Sequence, residues 1–210
     1  MTDSTATSLP DLVAKLEAQI NELRRAGDHA ALLASAKAAA DEIERRVGEN
    51  WINAAEREAL IRVRRFTFNA AADCWPGWAE PDRPADTRNL LDALALARRS
   101  AEIVAKLGLG KVQDGTGTWL IGAFELALGR YTEATRAFDS AREHYVAAKA
   151  PGLVLLTEGY TAIVRQIAGP HVPGGTDDLD HVCAKIAAED FKDGAEWIEQ
   201  LRTARKVFAP

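Results

Sequence analysis

Apolar residues recur at spacings of three and four along almost the whole chain, the period of a helix with one buried face. Leu9, Leu12, Leu16, Ile20 and Leu23 form the first such series, which Gly27 ends. Ser8 ahead of it predicts an N-cap, and Asp28 predicts the cap of a second helix carrying Leu32, Ala36, Ala39 and Ile43. The two make a helical hairpin. Gly48 then breaks the pattern, and Asn50 can cap a long, unusually apolar helix from about Trp51 to Cys74, which Pro76 disfavours extending.

The stretch from Trp75 to Pro84 holds three prolines and a glycine and predicts an ordered loop. Asp86 or Thr87 opens the next helix, through Leu91, Leu94, Ala101 and Val104 to Gly108. Gly108 to Gly117 is glycine-rich and predicts a link to a third hairpin over residues 118 to 149. Pro151 starts a helix through Leu155, Tyr160 and Ile163 to Gly169, and a loop follows to Gly175. Thr176 can cap the last region, whose apolar positions Leu179, Val182, Ile186, Trp197, Leu201 and Phe208 fit one helix interrupted near Gly194, or two. No segment alternates with the period of a strand, so the expected fold is all-α. It is a solenoid of about four helical hairpins, with residues 1–8 as a mobile tail and 9–210 as one domain.

Within the third hairpin, Gly122, Ala134, Phe138 and Ala141 set small residues against an aromatic across a turn at Gly129 and Tyr131. This stretch resembles a tetratricopeptide repeat, whose first helix carries Trp, Leu-Gly and Tyr and whose second carries Ala and Phe four apart. Ile121 stands for the Leu, Trp119 is one place late, and Glu125 stands where Tyr is expected. Gly27 with Asp28 echoes the Gly129 turn, and Gly169 echoes it 40 residues on, against the usual spacing of about 34. The resemblance is absent over the second hairpin. It implies a divergent TPR-like superhelix and a binding scaffold.

Composition narrows the class of partner. The 210 residues are 47% hydrophobic and 27% charged, enough to bury a sizeable core. A net charge of -5, with no run of basic residues, argues against a nucleic-acid binder. Residues Met1 to Pro10 lack a charged n-region and an apolar h-region, and no apolar run reaches roughly eighteen residues, so neither secretion nor a membrane span is expected. Cys74 and Cys183 sit within apolar helical patterns, as reduced, packed thiols do, and a cytoplasmic setting follows as the expectation.

Candidate chemistry concentrates in the helix before the proline-rich loop. At about 100° per residue, Glu58, Arg62, Arg65, Asn69 and Asp73 fall in one narrow stripe between two apolar flanks. Such a stripe is either paired internally and solvated, or an anion seat in which two guanidiniums and an amide hold a carboxylate or phosphate. Trp75 and Trp78 either present rigid aromatic surface to a ligand or pin their loop to the core. His171, Asp177, Asp180, His181 and Cys183 match no tight metal spacing, and acidic residues there suit a helix start. Gly108-Leu-Gly-Lys111 lacks the Ser or Thr and the preceding strand of a phosphate loop. Cys74 has no base in its helix.

The expected function is therefore non-catalytic: an adaptor whose groove binds a peptide or helix of another protein, through Arg62, Arg65, Asn69, Asp73, Trp75 and Trp78, without metal or cofactor. Two other readings stay open. One is a small-molecule or enzymatic site in a closed pocket near Asn69, Asp73 and Trp75. The other is a homodimer paired through the face of Trp197, Ile198 and Leu201.

Overall fold

The computed structural model describes residues 7–48, 53–79, 85–169 and 178–209. Within them the chain is all-α, with nine helices in sequence: α1 Leu9–Ala26, α2 His29–Val47, α3 Ala54–Asp73, α4 Thr87–Leu107, α5 Lys111–Ala127, α6 Tyr131–Ala147, α7 Pro151–Ala168, α8 Leu179–Ala188 and α9 Gly194–Phe208. A short 3-10 turn at Pro76–Trp78 follows α3. Each helix packs on its sequence neighbour, and α1 also packs on α3 and α2 on α4, which makes the fold a solenoid of helical hairpins. The last helix departs from that order. α9 leaves α8, packs on α7 and reaches the 3-10 turn beyond α3.

Five of the nine described helices start at a side-chain cap. Ser8 Oγ accepts from the Asp11 amide, Asp28 from Ala31, and Asp86 from Arg88, each satisfying an amide that the helix cannot pair itself. α3 runs Ala54–Asp73 with Asn53 as its N-cap. Asn53 and Glu56 form a reciprocal capping box, and the expected cap Asn50 and start Trp51 lie outside the described residues. Asp178 caps α8, with Thr176 also outside the described residues. Of the expected tail, residues 1–6 are outside them too, and the Thr7 carbonyl accepts a hydrogen bond from Arg46 at 2.8 Å. The C-terminal region is two helices, separated at Glu189 to Asp193.

The glycine-rich stretch expected to link the second and third hairpins is helical from Lys111 onward. Glycine disfavours a helix by about 1 kcal/mol relative to alanine, but here packing outweighs propensity. A Cβ on Gly115 would lie 2.6 Å from the Tyr145 ring, and one on Gly117 would lie 3.1 Å from the Ala101 side chain. These positions let α6 and α4 approach the α5 backbone. Gly122 repeats the device one turn further on, against the fully buried Phe138.

Gly122→Ala would place a Cβ 2.8 Å from the Phe138 ring. The overpacked variant is expected to lose about 1–3 kcal/mol of unfolding free energy, read by urea titration followed by circular dichroism, with its m-value unchanged.

Candidate functional site

The charged stripe of α3 faces α1. Glu17, on the middle of α1, accepts from both Arg62 and Arg65, the latter at 2.6 Å. About two turns further along each helix, Arg24 Nη2 donates to Asp73 at 2.8 Å. Asn69 lies half-buried between these two ties. Arg62, Arg65, Asn69 and Asp73 are thus brought together as the periodicity implied, but their charges are met from within the chain. The i,i+4 pair of Glu58 with Arg62 gives way to the contact with Glu17.

Burial resists ionisation of Glu17, whose side chain is 13% exposed, yet the hydrogen bonds from Arg65 and Arg62 outweigh it and hold the carboxyl below its usual range. An anion seat would require those two guanidiniums to be free. The sequence offered no sign of Glu17 or Arg24 as partners, because both sit on what reads as a solvated face of α1, 45 and 49 residues away.

Trp75 and Trp78 divide between the two roles considered for them. Trp75 is 2% exposed, donates from Nε1 to the Ala123 carbonyl of α5 at 3.1 Å, and meets four aromatic rings. It pins the loop to the core. Trp78 stands edge-on to Trp75, is 44% exposed, and donates to the Ala72 carbonyl at 2.5 Å. Trp119, Tyr160 and Phe208 complete the cluster from α5, α7 and α9.

A second polar element escaped the sequence reading. Glu125, almost fully buried on α5, receives Arg98 of α4 at 2.5 Å and Arg130 at 3.3 Å. The signal was present, since a lone glutamate among apolar residues needs a partner when buried. Near the C-terminus, Asp180 pairs with Arg205 at 3.3 Å, and His171 and Asp177 lie outside the described residues. Among the described residues no group of three or more His, Cys, Asp or Glu could hold a metal ion.

An open cavity lies elsewhere. A cleft of about 470 Å³ opens where the α6–α7 turn meets the start of the α8–α9 connection. Val146, Val154, Leu155 and Phe191 supply its apolar lining, and Lys149, Glu158 and Glu189 its charged groups. Val146 is 54% exposed, unusually so for a valine beside a cavity. Glu158 is held by Arg142 at 2.8 Å, and Lys149 occupies the turn with a φ of 55°. The face of Trp197 and Leu201 considered for dimerisation is engaged within the chain, against Gly152 and Gly159 of α7. No helix among the described residues is long and apolar enough to cross a membrane.

Two predictions follow from this geometry. Because the folded state depresses the Glu17 pKa, its ties stabilise the fold above the ordinary carboxylate pKa and are lost as pH falls through the folded value. Glu17→Gln should therefore cost about 1–2 kcal/mol at neutral pH, with the gap to wild type closing at acidic pH in thermal melts. Burial, helped by the charge of Asp73, pushes the Cys74 thiol up to about 12. Titration of the native protein with a thiol reagent at pH 8 should leave Cys74 unmodified until denaturant is added.

Compared with known proteins, the chain finds no matching family model, no similar curated protein and no similar solved structure.

Proposed function

We propose that this chain is a non-catalytic scaffold, a divergent member of the tetratricopeptide-like helical repeats, that binds a peptide segment of another protein in the cytoplasm. The observation that carries the reading is the open cleft beside α6 and α7, with its apolar lining and an exposed valine at its edge. Its volume suits one or two large apolar side chains, and flanking carboxylate and ammonium groups give a peptide backbone or side chain polar contacts. The reading replaces Arg62, Arg65, Asn69 and Asp73 with Val146, Val154 and Leu155 as the recognition surface, since the three charged residues of the former set are paired with α1. A role without catalysis is supported by where the reactive groups go. Both thiols are buried and shifted toward the protonated form, and Glu17, Glu125 and Asp73 are each engaged by arginine.

A peptide-display selection against the folded protein tests the proposal. Selected peptides should lose at least tenfold in affinity on Val146→Asp and keep it on Arg45→Ala, a surface change far from the cleft. Affinity indifferent to Val146→Asp would remove the cleft from the reading. Failure to select any peptide, with small apolar fragments perturbing Val146 and Leu155 in a nuclear magnetic resonance titration, would replace it with a small-ligand site.

A further inference from the structure

The turn between α6 and α7 departs from its neighbours in one residue. At the ends of α1, α4 and α5 the backbone passes through the left-handed region at Gly27, Gly108 and Gly129, with φ of 70°, 61° and 71°. Glycine is usual there because a Cβ strains that conformation. The turn after α6 repeats the hydrogen bonds of the turn after α5: the amides of Lys149 and Ala150 donate to the carbonyls of Val146 and Tyr145, as those of Gly129 and Arg130 donate to Leu126 and Glu125. Its left-handed residue is Lys149, with a φ of 55°, the single non-glycine at positive φ among the described residues. Backbone strain kept at one lysine beside a cleft points to a role for its side chain.

The cleft is lined by side chains that are already held. Tyr145 is 3% exposed, and its hydroxyl donates to Thr116 Oγ at 3.2 Å while its ring lies against Gly115. Phe191 comes from the α8–α9 connection, its ring 5.6 Å from that of Trp197. An occupant is thus spared the entropy of ordering them.

Three charged side chains border this apolar space. Glu158 is already met by Arg142. Lys149 and Glu189 have no ion pair among the described residues, either with each other or with a third group, and they come from the two elements that meet at the cleft. An unmet ammonium from one element and an unmet carboxylate from the other complement a segment that carries the opposite charges about an apolar residue.

We propose that Lys149 and Glu189 are specificity-determining residues of this cleft, which takes a peptide segment whose large apolar residue stands between an acidic and a basic one. Lys149 meets the carboxylate and Glu189 the cation. The inference rests on the cleft being the peptide site proposed above. The apolar residue supplies affinity, and the two charges choose among segments that share it.

The test titrates the full chain with end-blocked synthetic heptapeptides, followed by nuclear magnetic resonance at the methyl groups of Val146 and Leu155. Each peptide has a central phenylalanine among glycines, flanked by aspartate and arginine in either order, by one of them alone, or by asparagine and glutamine. In one of the two orders each charge is expected to tighten binding by about two- to fivefold, an advantage that high salt removes. Lys149→Gly puts the usual residue into the turn, so the variant folds, and it should lose the preference for aspartate while keeping that for arginine. Glu189→Gln should do the reverse. Equal affinity of wild type for charged and uncharged peptides overturns the proposal, and so do preferences that survive both substitutions. If the uncharged peptide then still binds and is lost on Val146→Asp, the cleft remains a peptide site that ignores charge. No shift at Val146 or Leu155 with any peptide overturns both readings.

Discussion

The fold turns on one buried indole. Trp75 follows the end of α3, where the chain must leave the helix because Pro76 cannot continue it. The Pro-Gly step then doubles back so closely that a Cβ on Gly77 would lie 2.3 Å from the Trp75 ring. This folds the indole inward, into the space where α3, α5, α7 and α9 converge. α3 and α5 meet chiefly through it, by the hydrogen bond to Ala123 and the ring contact with Trp119. A residue with fewer atoms at this position would leave a cavity at the junction of four helices, the kind of loss that costs about 3–5 kcal/mol for a large aromatic. The turn from Trp75 to Trp78 is therefore an anchor between hairpins, and its second tryptophan lies over the first as a partly exposed cover.

Around that aromatic centre, ion pairs tie successive layers of the solenoid. Glu17 joins α1 to α3, Arg99 joins α4 to Asp41 and Glu44 of α2, Arg98 reaches Glu125 of α5, and Arg142 reaches Glu158 of α7. Each exposed pair adds little to stability, because water screens it. Glu125 differs in kind. A carboxylate so deeply buried is strongly unfavourable once its arginines are removed, so the pair fixes the approach of α4 to α5 more than it strengthens it. Glu125 thus meets α4 of the neighbouring hairpin through a polar contact.

Helix existence was legible because each helix carries its own signals. Ser8, Asp28, Asp86 and Pro151 all stand at starts that local chemistry dictates, and Gly27, Gly108 and Gly169 at ends. Legibility failed where tertiary contact overrode the local signal. Gly115 and Gly117 read as loop residues until Tyr145 and Ala101 are seen against them. The stripe on α3 was found from periodicity alone, but what it faces depends on α1, and nothing in the sequence of Glu17 separates an interhelical partner from a solvated glutamate. Trp75 was legible as an aromatic in a loop, and its burial became decidable only once Phe208 was placed beside it, 133 residues later in the sequence.

The course of α9 decides which surfaces remain open. A solenoid of hairpins exposes the apolar end of its last layer unless something covers it. α8 and α9 together cover α7, and by crossing to the turn after α3 α9 also seals the aromatic cluster that would otherwise face solvent. The same chain segment thus caps the stack and fills its recess, with Gly152 and Gly159 letting it lie close. What it leaves uncovered is the edge where α6 turns into α7. There Val146 is 54% exposed at the mouth of the cleft, while Val154, Leu155 and Phe191 also pack against the core. Val146 at that edge is the most exposed large hydrophobic among the described residues, and Trp78, Leu91 and Val112 are exposed elsewhere.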